Sequence, residues 1–568
     1  LVQFVKDGPD VPESLLQAHE EGRVIFFCGA GISYPAGLPN FKGLVDRIYT
    51  TLGASQDPLE ARAYDNYQYD ATLDLLERRI PGQRAAVRVA LSTVLKPNLR
   101  LKGARATHAA LLQLAKDRTG NVRLVTTNFD RIFEGLMRRA RPPIAGYPAP
   151  LLPIPKNSRW NGLVYLHGLL PDSDDANALN RLVFSSGDFG LAYLTERWAA
   201  RFVGELFRNY VVCFVGYSIN DPVLRYMMDA LAADRMLGES TPQAYAFGDF
   251  APGNEDGAVV EWKAKGVAPV LYKVVPGTHD HAALHRTLSA WAATYRDGVG
   301  GKESIVSRDA VNPPTGSTKE DDFVGRVLWA VSDSSSLPAQ RFAELDPVPP
   351  LAWLEPLSNN QFRYEDLGRF GVPPRLPKDA DLRFSLARRP APYTFAPWMT
   401  LVVSPSGGSE LDPVMFQLAR WLVRHLDDPD LVIWVAKFGG RLHHRFSWLI
   451  ARRLKELDDL EATGKSEELK RILANAPRAV PRPAMRTLWG LLLSGRAKSH
   501  SDRADLFTWL DRFKREGLTA TLKIELRELL APRVSLSEPF RWGDDSDKTG
   551  VGSRVADLVR WEIVLATK

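Results

Sequence analysis

Four apolar segments in the first half of the chain each run directly into glycine and small polar residues, at positions 23–33, 122–130, 163–168 and 210–222. They alternate with longer helical patterns, which is typical of βαβ units and a largely parallel sheet. Because the carboxyl ends of parallel strands meet at one edge, we expect the four polar sets to lie close together, where α/β sheets bind ligands. The sequence therefore predicts a doubly wound α/β domain with strands at 24–27, 122–126, 163–166, 210–215, 244–247 and 270–275.

A helix-rich stretch separates the first two strands. Between 59 and 114, apolar residues such as Leu73, Leu76 and Ile80 recur at helical spacing, which predicts a helical module inserted into the sheet domain. Residues 297–336 instead combine glycine, serine, proline and charged residues without a sustained period, which is typical of a flexible linker. We therefore expect a sheet domain over 1–296 and a linker over 297–336.

The region 337–568 has a different character. Strand signals are sparse, and helical spacing recurs at 415–425, 445–457, 467–473, 484–493 and 504–515. Ten of the 14 tryptophans follow residue 296. Large aromatic residues at helical spacing are typical of a core between packed helices, with a binding surface as the alternative. The pattern predicts a mostly α-helical region.

Charge and cysteine content exclude several classes of protein. The 73 basic and 67 acidic residues give a net charge of +6, a mild field over 568 residues rather than a nucleic-acid footprint. Cys28 and Cys213 are the two cysteines, so no disulfide framework is expected.

No run approaches the ~20 apolar residues that span a bilayer, and no leader is recognised. We expect a soluble, cytoplasmic protein, and because the sequence begins at Leu1, residues are expected to be missing at an end.

The segment 23–33 is an apolar strand followed by a Gly-x-Gly turn. Gly29 and Gly31 would let the backbone approach a diphosphate closely, and the N–H groups of the turn, with Ser33, could donate to the anion. A tight turn without any ligand is the alternative, because a bare Gly-x-Gly after a strand is a weak signal.

Polar residues at the other three strand ends are candidates for chemistry. Asn128 could orient a reacting group or simply form a turn, and Asp130 could serve a site or begin the following helix. A neutral imidazole at His167 could act as a base near pH 7, although a structural histidine is the alternative. Asp221 precedes Pro222, which is typical of a helix start.

The ordered set of motifs resembles the sirtuin superfamily. The set is GAGIS at 29–33, GLPNFK at 37–42, TTNFD at 126–130, HG at 167–168 and GYS at 216–218. The match covers roughly residues 11 to 295. It implies a Rossmann-like domain with a parallel sheet that binds NAD⁺.

The resemblance also implies roles for individual residues. Asn128 would position the nicotinamide ribose and the attacking water, and His167 would be the base. NAD⁺ would be bound by Gly29, Ala30, Gly31, Ser33, Asn40, Phe41, Thr127, Asp130, Gly216 and Ser218. Deacetylating sirtuins usually carry Asp and Arg where this chain has Asn40 and Lys42.

A third difference from deacetylating sirtuins concerns zinc. Those enzymes resemble one another in a module of two Cys-x-x-Cys pairs, whereas this chain has no cysteine from residue 29 to residue 212. A four-thiolate zinc site is therefore excluded, and no metal is expected. His281 and His285 have metal-ligand spacing beside Asp280 but no third ligand, and His443 and His444 lie in a predicted turn.

A zinc-free sirtuin-like domain followed by a helical region resembles the defence-associated sirtuins of bacteria. The resemblance implies an NAD⁺ hydrolase that forms nicotinamide and ADP-ribose, and depletes NAD⁺ when a phage component binds the region 337–568 of a homo-oligomer. One alternative is a protein deacylase or ADP-ribosyltransferase. The other is a non-enzymatic module that binds NAD⁺ or ADP-ribose.

Overall fold

The chain folds into two compact units. The computed structural model describes residues 2–155, 160–172, 175–219, 227–228, 241–278, 280–358, 413–428, 430–431, 444–465, 467 and 489. The first unit comprises Leu1–Gly301 and Thr318–Asp322, and the second comprises Lys302–Ser317 and Phe323–Lys568.

Seven parallel strands form the centre of the first unit. They are β1 (Val24–Cys28), β2 (Arg123–Thr126), β3 (Gly146–Pro148), β4 (Gly162–Tyr165), β5 (Val211–Val215), β6 (Ala244–Phe250) and β7 (Val267–Lys273). Their order in the sheet is β3-β4-β2-β1-β5-β6-β7, and every pairing is parallel. The predicted α/β fold is confirmed, and all six predicted strands are present. The edge strand β3 was not predicted, because three residues containing glycine and proline carry no hydrophobic pattern.

The burial of the central strands explains their composition. All five residues of β1 and of β5 are buried, as expected for parallel strands that are covered by helices on both faces. The chain passes from β1 to β2 on one side, whereas β5 pairs with β1 on the other side. The order of the strands therefore reverses at β1, and a crevice is expected at the carboxyl end of such a switch point.

Helices surround this sheet. They are α1 (Glu13–Glu20), α2 (Phe41–Leu52), α3 (Pro58–Asp65), α4 (Tyr69–Arg79), α5 (Gln83–Val94), α6 (Ala106–Leu114), α7 (Ile132–Met137), α8 (Ala176–Asn180), α9 (Ser186–Phe189), α10 (Trp198–Asn209), α11 (Glu255–Ala264) and α12 (Ala282–Arg296). Val45, Leu73 and Leu91 of α2, α4 and α5 are fully buried in one core. The expected helical module between the first two strands is therefore confirmed.

The segment 297–336, expected to be a flexible linker, is folded. It contains helices α13 (Val299–Asp309) and α14 (Phe323–Val331). Val306 and Val327 are fully buried in the core of the second unit. The linker prediction was wrong because the glycines and serines mark turns between short helices, and an apolar run such as 323–331 is too short to dominate the composition.

The described part of the second unit is helical. Besides α14 it contains α15 (Leu337–Glu344), α16 (Leu354–Ser358), α17 (Pro413–Leu422) and α18 (His444–Ala462). Trp353, Trp421 and Trp489 are fully buried in its core, as expected for aromatic residues between helices, whereas Trp448 is 52% exposed. The helices predicted at 467–473, 484–493 and 504–515 lie outside the described residues, apart from single positions. Within the described ranges, no helix combines the length and apolarity needed to cross a membrane.

Candidate functional site

A cleft of about 590 Å³, open to solvent, lies where β2 and β4 end. The predicted site residues that line it are Ala30, Ser33, Asn40, Phe41, Thr127, Asn128, Asp130 and His167. Apolar side chains complete the wall, among them Leu38, Leu44, Leu95, Val183, Phe184 and Phe189. The structure therefore brings both predicted catalytic residues into one cavity.

Asn128 is anchored at the carboxyl end of β2. Its backbone N–H donates to Oγ1 of Thr126 at 3.1 Å. Its side-chain nitrogen Nδ2 donates to the carbonyl oxygen of Gly29 and to Oγ of Ser33, both at 3.1 Å. The side chain is 8% exposed and faces the cleft. These bonds connect β2 to the turn after β1 and fix the orientation of the amide.

Asp130 supports the start of the following helix and also lines the cleft. Its Oδ1 accepts from the N–H of Ile132, the first residue of α7, at 3.0 Å, which supports the helix start. Its Oδ2 accepts from the Ser33 hydroxyl at 2.8 Å. The carboxylate is 4% exposed and lines the cleft, so it also places a negative group beside any ligand.

His167 is more enclosed than its sequence position suggested. The side chain is 1% exposed, its Nε2 lies 3.0 Å from the hydroxyl oxygen of Tyr193, and Phe189 packs edge-on against its ring. Burial lowers the pKa of His167 to about 3, because the low-dielectric surroundings disfavour the charged ring. Tyr193 comes from a π-helix, Gly190–Thr195, a rare geometry that often occurs at functional sites. The ring is therefore neutral at physiological pH, and a weak base in the absence of ligand.

The glycines after β1 and β5 pack against each other. The N–H groups of Gly29 and Gly31 donate to the carbonyl oxygens of Val215 and Gly216, at 2.8 and 2.9 Å. A Cβ added at Gly31 would lie 2.9 Å from Cα of Gly216, which itself has a positive φ of +77°. These two N–H groups are therefore engaged within the protein, and the glycines allow one loop to approach the other; the contact of this turn with a diphosphate stays a prediction.

The remaining predicted residues have varied environments. Asn40 is exposed and begins α2 by accepting from the N–H of Gly43 at 2.9 Å, while Phe41 lines the cleft. The hydroxyls of Thr127 and Tyr217 lie 2.7 Å apart. Ser218 is exposed, and neither it nor Gly216 lines the cleft. Their predicted contact with the adenosine half of NAD⁺ stays a prediction, and Asp221 lies outside the described residues.

Sequence reasoning missed His108 and Tyr193, which touch the predicted residues. His108 is fully buried on α6, and its Nε2 lies 3.3 Å from Oγ of Ser33. Both residues lie inside helices, far along the chain from the motifs they support, so no local pattern marks them.

A buried arginine fixes the apolar wall of the cleft. Arg88 of α5 donates to the carbonyl oxygens of Leu179 and Leu182, at 2.8 and 2.7 Å, and pairs with Glu77 and Asp188. Asp188 accepts from the N–H of Phe184, at 3.2 Å. The helical module therefore holds the segment that carries Val183, Phe184 and Phe189.

The histidines with metal-ligand spacing are engaged in other contacts. Nδ1 of His285 lies 2.8 Å from the hydroxyl of Thr107, and Nδ1 of His281 lies 3.0 Å from that of Tyr272. Asp280 accepts from the N–H of Ala282 at the start of α12. Among the described residues, no three His, Cys, Asp or Glu side chains are grouped to hold a metal. His443 and the side chain of His444 lie outside the described part.

Two comparisons with known proteins agree with this geometry. A family model described as a SIR2-like domain matches residues 122–270, the segment from β2 to β7 that contains Asn128 and His167. The chain is also 27% identical, over 561 residues, to the uncharacterized protein y4cA of Sinorhizobium fredii (strain NBRC 101917 / NGR234). The alignment covers 98% of this chain but only 40% of that relative. The chain therefore contains a SIR2-like domain, which supports membership of the sirtuin superfamily.

Proposed function

We propose that this protein hydrolyses NAD⁺ to nicotinamide and ADP-ribose. The observation that carries the proposal is the convergence of Asn128, His167 and Ser33 on one cleft, from the ends of β2, β4 and β1. SIR2-like domains use NAD⁺, and this cleft has the mixed polar and apolar lining of a small-molecule site.

The chemistry requires little from the protein. The bond between C1′ of the ribose and the pyridinium nitrogen breaks, and its electron pair leaves with nicotinamide as a neutral ring, so no general acid is needed. A water molecule adds to C1′ and releases one proton. The protein must orient the ribose, stabilise its developing positive charge and accept the proton.

The lining residues match these requirements. The fixed amide of Asn128 can orient the ribose and the water, and the carboxylate of Asp130 is an anion beside the cleft. His167 is the nearby neutral imidazole, but a pKa of about 3 makes it a weak base. We expect it to act in the substrate complex, where the negative diphosphate raises its pKa.

A non-enzymatic function is the second candidate, and the same enclosure of His167 favours it. A ring that is 1% exposed and held by Tyr193 is also what a binding module would contain. In that case the chain binds NAD⁺ or ADP-ribose tightly and does not turn NAD⁺ over.

One experiment separates these functions. The purified chain is incubated with NAD⁺, and nicotinamide and ADP-ribose are followed by chromatography, with Asn128→Ala protein as the control. Equal amounts of both products from wild type alone support hydrolysis. Tight binding of NAD⁺ without products, also when lysate from phage-infected cells is present, supports the binding module. Nicotinamide release that requires an acylated peptide, or transfer of labelled ADP-ribose to protein, identifies a deacylase or an ADP-ribosyltransferase and overturns the proposal.

We further propose a defensive role in the bacterial cytoplasm, which rests on the resemblance to defence-associated sirtuins. An NAD⁺ hydrolase that is always active would poison its own cell, so the region 337–568 is assigned to restraint. In this proposal the protein is a homo-oligomer, and a phage protein binds that region and shifts the assembly to an active state. Lysate from phage-infected cells should raise nicotinamide release above that with uninfected lysate. No increase with any phage tested would contradict this role.

A further inference from the structure

The Ser33 hydroxyl is the centre of a buried polar network that connects the cleft to α6. A hydroxyl has one proton to donate and two lone pairs to accept with. Three partners surround Oγ of Ser33: Oδ2 of Asp130 at 2.8 Å, Nδ2 of Asn128 at 3.1 Å and Nε2 of His108 at 3.3 Å. The Ser33 hydroxyl donates its single proton in the hydrogen bond to the carboxylate of Asp130. Asn128 and His108 must therefore both donate to the Ser33 oxygen.

This count fixes the tautomer of His108. The ring is fully buried and packs edge-on against Phe133, with ring centres 4.6 Å apart. Burial lowers the pKa of His108 to about 4, so the ring carries one proton at neutral pH. Since Nε2 must donate, that proton is on Nε2. Consistently, Nδ1 is buried without a hydrogen-bond partner among the described residues.

The same count fixes the orientation of Asn128. Its two amide protons are used by Gly29 and Ser33, which leaves its oxygen Oδ1 as the atom that can meet a ligand. An amide oxygen accepts a hydrogen bond from a ribose hydroxyl or from a water molecule, whereas an amide NH₂ could only donate to their oxygen atoms. If Nε2 of His108 carried no proton, the Ser33 hydroxyl would be able to donate to that nitrogen instead of to Asp130. The hydrogen bond between Ser33 and Asp130 would then be lost, and the network would be free to rearrange.

We propose that His108 is a positioning residue: its Nε2–H holds the Ser33 hydroxyl so that the Asn128 amide presents Oδ1 to the substrate. As a role in turnover, this rests on the proposed NAD⁺ hydrolysis. His108 touches no ligand itself and acts through Ser33.

The test compares two substitutions at this position. His108→Gln places an amide N–H where the imidazole Nε2–H was, and His108→Leu removes the donor while keeping an apolar side chain of similar bulk. We expect His108→Leu to lower kcat ~10-fold or more with little change in KM, because a misplaced orienting group costs rate more than affinity. His108→Gln should retain most of kcat.

His19 provides a matched control elsewhere in the first unit. It is also a buried histidine, 3% exposed with a pKa lowered to about 4, and its Nε2 lies 2.7 Å from the carbonyl oxygen of Leu114. His19→Leu should lose thermal stability to a similar degree as His108→Leu, yet keep kcat. Equal loss of kcat in these two variants would show a structural effect only and overturn the proposal.

A second readout is independent of turnover. In protein labelled with ¹⁵N-histidine and ¹⁵N-asparagine, His108 should show a protonated Nε2 and a bare Nδ1. The Asn128 side-chain protons should exchange slowly in wild type and His108→Gln but quickly in His108→Leu. A proton on Nδ1, or unchanged Asn128 exchange in His108→Leu, overturns the positioning role. If wild type fails to cleave NAD⁺ while these signatures appear, only the proposed reaction fails.

Discussion

The carboxyl edge of the sheet has two halves that use similar sequence signals in different ways. At β1 and β5, the glycines of GAG and GYS let two loops pack closely, and the N–H groups of Gly29 and Gly31 donate within the protein. At β2 and β4, the residues after the strands are Asn128 and His167, which face a cleft. We refer to these as the glycine half and the polar half.

The difference shows that a glycine after a strand indicates a close contact at that position. It does not indicate whether the contacting group is a ligand or another part of the protein backbone. In the glycine half the approaching group is the backbone of Gly216, whose Cα would lie 2.9 Å from a Cβ at Gly31. The polar half instead leaves groups aimed at open space. We therefore expect the glycine half to stabilise the crevice and the polar half to supply the chemistry of the proposed reaction.

The largest expected effect comes from the glycine half. Gly31→Val would place two Cγ atoms against the backbone of Gly216. Because this backbone cannot move aside as a flexible side chain can, we expect the free energy of unfolding to fall by about 3 kcal/mol. Thermal unfolding checks this. Gly135→Ala is the control, because no atom lies within 4 Å of a Cβ there. Equal melting temperatures for the two variants would show that the glycine half is not tightly packed.

In the polar half, Asn128→Ala should abolish function rather than folding. The side chain lies at the cleft, so its removal opens no enclosed cavity, and loss of one orienting group should lower turnover by ~10²-fold or more. Nicotinamide release and the melting temperature are measured on the same sample. Near-normal turnover in a folded Asn128→Ala protein would contradict the catalytic assignment.

His167 needs a more conservative substitution than its strand-end position suggested. Because the ring packs against Phe189 and Tyr193, His167→Ala would create a cavity and mix a stability effect with a catalytic one. His167→Gln fills more of the space and removes the base. We expect turnover to fall ~10²-fold while the affinity for ADP-ribose is retained. Turnover equal to that of wild type would mean that another group accepts the proton of the attacking water.

The sheet was predictable from the sequence because its signals are local. Five consecutive apolar residues at 24–28 that run into a Gly-x-Gly turn are typical of a covered strand, and helical spacing in 59–114 indicated the module. Asn128 and His167 were found because strand ends converge at one edge. The sequence could not reveal His108, Tyr193 or Arg88, since their roles depend on contacts with residues far away in the chain. It also misread 297–336, where turn residues between short helices have the composition of a linker.

A smaller effect concerns acid. Burial lowers the pKa of His19 and His108 to about 4 and of His167 to about 3. The unfolded chain takes up these protons near pH 6.5, whereas the folded chain does not, so stability is full above pH 6.5 and falls as pH drops towards 4. Each histidine contributes at most about 1.4 kcal/mol per pH unit. Two of the three lie in the polar half or against it.

Melting temperatures between pH 7.5 and pH 5 measure this dependence. His108→Leu should show a shallower decline than wild type, because one of the titrating groups is gone. A decline as steep as that of wild type would mean that folding does not lower the pKa of His108, which would remove one basis for its assigned tautomer.

The smallest effect is expected from chelators, and it concerns the cysteines of the glycine half. Cys28 on β1 and Cys213 on β5 are the two cysteines of the whole chain, and both are buried in the sheet. Burial raises the pKa of each thiol above its ordinary value, so the thiolate that zinc requires is disfavoured. With two cysteines, the four-thiolate module of deacetylating sirtuins cannot form.

We therefore expect chelator treatment to leave both the melting temperature and NAD⁺ turnover unchanged, since a structural zinc would contribute directly to folding. Elemental analysis of the untreated protein completes the measurement. One zinc per chain that is lost together with folding on chelation would contradict this prediction and return the deacylase to consideration.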